Sequence, residues 1–167
     1  MLKIAALSKE HSRTGFDCGV PELNTFLKAT ARQHSDKGTS RTFALVDDTN
    51  PAILGYFTLT LCEVFAAKLP ANHAKKFPQH GLPAIRLARL AVSRREQGKK
   101  YGELLLTEAI HRTLLIAEQA GTIGLFVDAK DDTARTFYER YGFIALAQER
   151  LQLFLPVETL RQTRLTP

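Results

Sequence analysis

The chain predicts a mixed α/β domain whose central sheet is antiparallel before residue 92 and gains a parallel crossover after it. Three observations carry this. Short apolar runs rich in β-branched and aromatic residues mark strands, and longer segments with apolar residues at helical spacing mark helices. Their order is strand, helix, three strands, helix, strand, helix, two strands. A length of 167 residues matches one domain of roughly 100–200 residues, so a single domain over 1–167 is expected.

Each element has a local reason. Leu2 to Leu7 is a short apolar run and reads as a first strand. Pro21 to His34 is helical, because Leu23, Phe26, Leu27 and Thr30 recur at i, i+3, i+4 and i+7. Pro21 in the first turn and Gly38 beyond the end fit the asymmetry of helix termini. Thr42–Asp47 and Ala52–Phe65 flank the turn-rich stretch 47–51 and predict a hairpin. Leu69–Leu82, with Pro70, Pro78 and Gly81, reads as a loop holding at most a helical turn, and Ile85–Val92 reads as a strand. From Gly102 to Gln119 the stripe Leu106, Ile110, Leu114 and Ala117 predicts a helix stopped by Gly121. Thr122–Val127 is apolar enough for a buried strand. Asp131 or Asp132 can cap a helix that carries Ala134, Phe137, Tyr138 and Tyr141 and closes at Gly142, and Phe143–Ala147 and Arg150–Val157 read as the last strands.

Composition excludes several classes. A 44% hydrophobic share with 24% charged residues argues against a disordered, collagenous or low-complexity chain. The balance of 23 Lys+Arg against 17 Asp+Glu gives +6, which favours anionic partners, although a solvated basic surface explains it as well. Cys18 and Cys62 lie far apart, and neither they nor the histidines show metal-ligand spacing, so no disulfide framework and no metal are expected. The N-terminus lacks a signal-peptide core, and the most apolar stretch, Ala52 to Ala67, is too short for a bilayer and carries Glu63. A soluble, cytoplasmic protein with no membrane partner is expected.

The stretch 87–106 carries the chemistry. A strand runs through Gln97, Gly98, Lys99, Lys100, Tyr101 and Gly102 directly into a helix. Main-chain N–H groups at a helix start are unpaired and lie at the positive dipole end, so they suit phosphate. Glycines admit close approach and the lysines add charge. A plain strand–helix turn accounts for this stretch taken alone. Together with the downstream block 127–143, however, it resembles the GCN5-related N-acetyltransferase superfamily. Gln97–Gly102 is similar to that family's acetyl-CoA pyrophosphate loop, and Asp132–Phe143 resembles its A-x-x-F-Y-x-x-x-G-F signature. The resemblance implies the acetyltransferase fold: a mostly antiparallel sheet with a parallel, splayed strand pair and flanking helices. It also implies acetyl-CoA as co-substrate, lying in a wedge between strands 85–92 and 122–127. Cofactor-binding positions implied by it are Leu90, Val92, Gln97, Gly98, Lys99, Lys100, Tyr101, Gly102 and Arg135. Lys100 stands where the pattern usually has glycine, so its side chain either crowds the pyrophosphate or pairs with it.

A narrower resemblance rests on Gly15–Gly19, Leu23–Leu27, Gly38–Phe43 and Ile85–Val92, which are similar to the toxin acetyltransferases of bacterial type II toxin–antitoxin modules. It implies acetylation of the α-amine of aminoacyl-tRNA, which blocks translation, a ribbon-helix-helix antitoxin as partner, and a homodimer. An N-acetyltransferase acting on a small-molecule amine or a protein N-terminus is the alternative, and a non-catalytic CoA- or RNA-binding module is a third.

Tyr138 is the expected catalytic residue. On spacing alone it reads as a core aromatic beside Phe137 and Tyr141, but the family pattern makes it the acid that protonates departing thiolate. A phenol with pKa near about 10 is protonated at neutral pH and can donate to a thiolate with pKa of about 8.5. No carboxylate or histidine lies on strand 85–92, and Glu63 is the nearest candidate base by chain order, equally readable as a loop carboxylate. An α-amine, with pKa of about 7.7–8.0, needs little help, whereas a lysine at about 10.4 would need a base. A main-chain N–H on strand 87–92 is the expected oxyanion donor. Arg86, Arg89, Arg94 and Arg95 make the mid-chain basic and are candidate RNA contacts.

Overall fold

The structure is a computed structural model that describes residues 1–163. The elements in chain order are β1 (Leu2–Ala6), α1 (Pro21–Thr25), a π-turn (Phe26–Thr30), α2 (Ala31–Lys37), β2 (Arg41–Asp47), β3 (Asn50–Phe65), α3 (Ala71–Ala74), β4 (Gly81–Val92), α4 (Tyr101–Gln119), β5 (Gly124–Asp128), α5 (Asp132–Glu139), β6 (Ile144–Ala145), β7 (Gln152–Pro156) and α6 (Val157–Thr163). The strands form one seven-stranded sheet in the order β1-β2-β3-β4-β5-β7-β6. Pairing is antiparallel for β1–β2, β2–β3, β5–β7 and β6–β7, and parallel for β4–β5. The mixed sheet with one parallel pair is thus the fold that the element order predicts. The register of the parallel pair joins Ile85–Leu87 to Leu125–Val127, and β4 then continues to Val92.

The chain divides into two compact units, Met1–Thr60 with Ala88–Ala109, and Leu61–Leu87 with Ile110–Pro167. In the first, Phe16, Phe26, Leu27, Ala44 and Tyr56 form a buried cluster under the helical segment 21–37. Tyr56 is fully buried and its hydroxyl donates to the Leu23 carbonyl at 2.7 Å, so the phenol's polar tip is satisfied while its ring fills the core. In the second, Val64, Leu82, Ala84, Phe126, Leu146 and Phe154 form the core, with Phe126 and Phe154 stacked at 4.6 Å. Among the described residues no helix is long and apolar enough to cross a membrane, and no cluster of His, Cys, Asp and Glu could hold a metal ion.

Several boundaries differ from those that spacing predicts. The helix expected over 21–34 reaches Lys37 and is interrupted by the π-turn, where the Ala31 N–H donates to the Phe26 carbonyl. Strand β4 starts at Gly81, not Ile85. Gly81 looks like a breaker, yet it opens the strand with the Glu63 side chain lying over its Cβ position. Strand β5 starts at Gly124, whose Cβ position would clash with the Leu155 carbonyl oxygen. The last strands are shorter than expected. β7 stops at Pro156, and the tail that β-branched Val157 assigned to strand enters α6, whose Leu160 is fully buried. Of the two proposed caps of α5, Asp131 is the one used, accepting from the Ala134 N–H at 2.8 Å.

Two glycines give a contrast. Gly124→Ala forces a methyl group against a main-chain carbonyl, and a destabilisation of about 1–3 kcal/mol is expected from such overpacking. Gly121 has nothing within 4 Å of its Cβ position, so Gly121→Ala stays within about ±0.5 kcal/mol. Urea midpoints of the two variants measure the difference.

Candidate active site

In the first unit, β4 leads through a short helical turn at Arg94–Glu96 into the loop that opens α4. The Gln97 side chain spans the base of this loop, its Nε2 donating to the Val92 carbonyl at 3.1 Å and the Cys18 carbonyl at 3.3 Å. Gln97 therefore braces the loop through its side chain. Gly98 has φ of +86° with open space at its Cβ position, and Lys100 has φ of +66°, a left-handed conformation that no other non-glycine residue adopts among the described residues. That conformation costs a residue with a Cβ roughly 1–2 kcal/mol, which gives a backbone reason for glycine being usual at this position. The first bond closing α4 runs from the Leu104 N–H to the Lys100 carbonyl. Among the described residues the N–H groups of 98–103 donate to no carbonyl, which leaves a nest of main-chain donors at the positive end of a 19-residue helix. Such a nest fits a diphosphate. Lys99 is engaged by Glu96 at 2.7 Å, which holds its ammonium pKa above the ordinary value, whereas Lys100 is exposed and makes no ion pair among the described residues. Tyr101 and Gly102 contribute main-chain N–H groups, and Leu90 and Val92 lie half-buried on the part of β4 beyond its pairing with β5.

The loop at 17–24 is held by side chains of the same unit. The Asp17 carboxylate accepts from the Gly19 N–H at 2.9 Å and from Asn24 Nδ2 at 3.0 Å, and Asn24 Oδ1 accepts from the Cys18 N–H at 2.9 Å. These bonds hold the Asp17 carboxyl below its ordinary pKa, with Arg94 nearby adding to the effect. Two of the short patterns that resemble the toxin acetyltransferases are therefore a latch between this loop and α1. Arg94 Nε lies 3.9 Å from Asp17, while Arg95 is exposed.

In the second unit, the Tyr138 ring packs edge-on against Phe137 at 5.2 Å and Phe143 at 5.5 Å, with 7% of the residue exposed. Burial pushes its hydroxyl up to about 12. The hydroxyl makes no hydrogen bond among the described residues and is not fully enclosed. Arg135 is ion-paired with Glu139 one turn along α5, at 3.2 Å. A cavity of about 240 Å³ is lined by Glu63, Lys68, Arg86, Phe126, Asp128 and Gln152, among others. Arg86 bonds Asp128 across it at 2.7 Å. Glu63, the candidate base, lines this cavity, and so does Asp128, which sequence reasoning missed. Asp128 and Arg86 are 42 residues apart and become neighbours only through the parallel pairing of β4 and β5. Burial raises the pKa of the adjacent Cys62 thiol, so it is not an activated thiolate.

Residues 17–156 match the family model of the acetyltransferase (GNAT) domain. A probable toxin TacT from Sinorhizobium fredii is 30% identical over 159 residues, which cover 90% of this chain and 88% of the relative. A tRNA-acetylating toxin from Mycobacterium tuberculosis is 33% identical over 148 residues, covering 89% of this chain and 87% of the relative. Among solved structures, a tyrosine-to-phenylalanine mutant of KacT superposes with a TM-score of 0.91 at 35% identity, covering 97% of this chain and 98% of that one. AtaT complexed with acetyl-methionyl-tRNAfMet gives a TM-score of 0.90 at 33% identity, covering 98% of this chain and 99% of that one. An AtaT mutant bound to acetyl-CoA and the C-terminus of the antitoxin AtaR gives 0.81 at 27% identity, covering 99% of both chains. With the donor nest at the start of α4 and near end-to-end likeness to toxin acetyltransferases, the chain belongs to the GNAT acetyltransferase family.

Proposed function

We propose that this chain transfers an acetyl group from acetyl-CoA to the α-amine of aminoacyl-tRNA, and that it acts as the toxin of a toxin–antitoxin pair. The observation that carries the donor half is the nest of unpaired N–H groups at 98–103 around left-handed Lys100. The acceptor half is supported by likeness to AtaT, whose solved complex contains acetyl-methionyl-tRNAfMet. In this reading the protein works in the cytoplasm, as a homodimer, and is restrained by a ribbon-helix-helix antitoxin.

When bound, acetyl-CoA supplies an activated acetyl thioester. The chain's own contributions are separable. Main-chain donors at 98–103 hold the diphosphate, Lys100 adds an unpaired charge, and Gln97 keeps the loop in place through its bonds to Val92 and Cys18. Leu90 and Val92 offer main-chain groups to the donor's amides. Arg135, paired with Glu139, orders α5 and is a lesser candidate for phosphate contact.

Tyr138 holds the proton that a departing thiolate needs. With its pKa raised to about 12 the phenol is almost wholly protonated across the physiological range. The thiol formed has a pKa of about 8.5, so the proton is taken up near neutral pH. The acceptor amine, at about 7.7–8.0 and lowered further by its own ester, has a sizeable neutral fraction at physiological pH. Its surplus proton can pass to water, and no strong base has to be built. Glu63 and Asp128 are therefore not required as bases.

Incubation with labelled acetyl-CoA and a pool of aminoacylated tRNA is expected to label the tRNA, and absence of label alongside ready acetylation of small amines would refute the reading. Tyr138→Phe is expected to reduce kcat by about 10²–10⁴-fold while leaving the melting temperature nearly unchanged. The pH profile of kcat/KM should rise as the amine deprotonates and then stay flat to at least pH 10, because the phenol loses its proton only near 12. A falling limb between pH 8 and 9.5 would remove Tyr138 as the acid. Lys100→Gly relieves the left-handed strain but adds chain entropy, so stability is expected to change by less than about 1 kcal/mol. Its affinity for acetyl-CoA, followed by calorimetry, should fall several-fold and depend less steeply on salt.

A further inference from the structure

The arginines of the basic mid-chain are not equivalent. Arg86 is bonded to Asp128 at 2.7 Å, and Arg94 lies 3.9 Å from Asp17. Arg89 has neither kind of partner among the described residues. Its guanidinium carbon sits 3.5 Å from the centroid of the Phe26 ring, and the residue is half-buried. The ring is itself fixed. It is 5% exposed, stacks on Tyr56 at 6.3 Å and meets the edge of His34 at 5.7 Å. Phe26 also opens the π-turn, which shifts the helical register so that its carbonyl accepts from Ala31. Such turns recur at functional positions.

The consequence is a guanidinium with one face on an aromatic ring and all its N–H groups unspent. A planar fork held this way gives two parallel bonds to a phosphate, at less entropy cost than a free lysine. Its surroundings are permissive, with Lys28 and Arg32 on the same helical segment. Arg89 also lies one residue before Leu90 on β4, next to the stretch assigned above to the acetyl donor. We propose that Arg89, seated on Phe26, binds a phosphodiester at the acceptor end of the aminoacyl-tRNA and thereby distinguishes it from a free aminoacyl ester. This rests on the aminoacyl-tRNA reading above. Arg86, already spent on Asp128, is a cavity-ordering residue instead of a phosphate contact.

The test compares wild type, Arg89→Gln, Arg89→Lys and Phe26→Leu on two acceptors, a pool of aminoacylated tRNA and the methyl esters of the same amino acids. Arg89→Gln is expected to raise KM for tRNA at least about tenfold more than KM for the esters. The plot of log kcat/KM against log salt for tRNA should become shallower by about 0.7–0.9, the value for one lost phosphate contact. Arg89→Lys should restore the slope but not the full KM, since it keeps the charge and loses the fork. Phe26→Leu should lose part of the tRNA selectivity with the slope intact. Equal losses on both acceptors, or an unchanged salt slope, overturn the proposal. So do unchanged tRNA kinetics, which would give the guanidinium to a protein carboxylate instead. Melting curves check folding, and if Arg89→Gln does not fold, the KM split of Arg89→Lys decides. A wild type that acetylates the esters but no tRNA fails differently, because that result overturns the substrate reading as well.

Discussion

A helix cannot pair its own first N–H groups, and at the start of α4 nothing else in the described chain pairs them either. At α5 the Asp131 side chain caps one such group, the Ala134 N–H. At 98–103 the cap is withheld and the loop is braced from beneath by Gln97. The left-handed backbone at residue 100 turns successive N–H groups toward one side, as a nest requires. A group of unpaired donors next to solvent is tolerable because water serves them until an anion does. The left-handed backbone at Lys100 and the open space at Gly98 leave the main chain of this loop accessible from solvent.

The chemistry of the second unit follows from a different constraint, burial. Tyr138 is enclosed by aromatic edges and meets no charged partner, so desolvation alone acts on it and acts only against the phenolate. A buried phenol is consequently a proton donor at any physiological pH and a poor base. This polarity suits an α-amine acceptor with a sizeable neutral fraction better than a lysine acceptor, for which a base would have to be built. Tyr56 shows the other use of a buried phenol. Its hydroxyl is spent on the Leu23 carbonyl, and burial raises its pKa too, but it serves only the core.

What was legible in the sequence was what is contiguous. The loop 97–102, the cap at Asp131, the aromatic spacing around Tyr138 and the alternation of strands and helices all lie within single windows, and the fold and the two candidate motifs follow from them. What was hidden depends on distant neighbours. Gly81 looks like a strand breaker until Glu63 is seen lying over it. Asp128 looks like the end of a strand until parallel pairing sets it against Arg86. The π-turn leaves no mark in the apolar spacing, because Phe26, Leu27 and Ala31 stay on the buried side. The side chain of Gln97 also braces the loop through the Val92 and Cys18 carbonyls, a contact that spacing cannot show.

Net charge illustrates the same point at the level of function. An excess of +6 predicts a field that draws polyanions and speeds their arrival. It does not say which cations touch them. Local pairing removes most of the candidates: Arg86 is bonded to Asp128, Lys99 to Glu96 and Arg135 to Glu139, while Arg94 is drawn toward Asp17. For each of these, meeting a phosphate means giving up a partner, a small cost for an exposed pair but one that an unpaired cation does not bear. Lys100 and Arg89 differ because each is held by the backbone or by a ring instead of by a carboxylate. A cation fixed without a counter-charge keeps its full attraction for an incoming phosphate and loses no partner on binding. The two cations that the fold leaves unneutralised in this way stand at the loop opening α4 and on β4 just before it. Under the proposed reading donor and acceptor each bring phosphate, and each of the two positions offers one unpaired charge toward it.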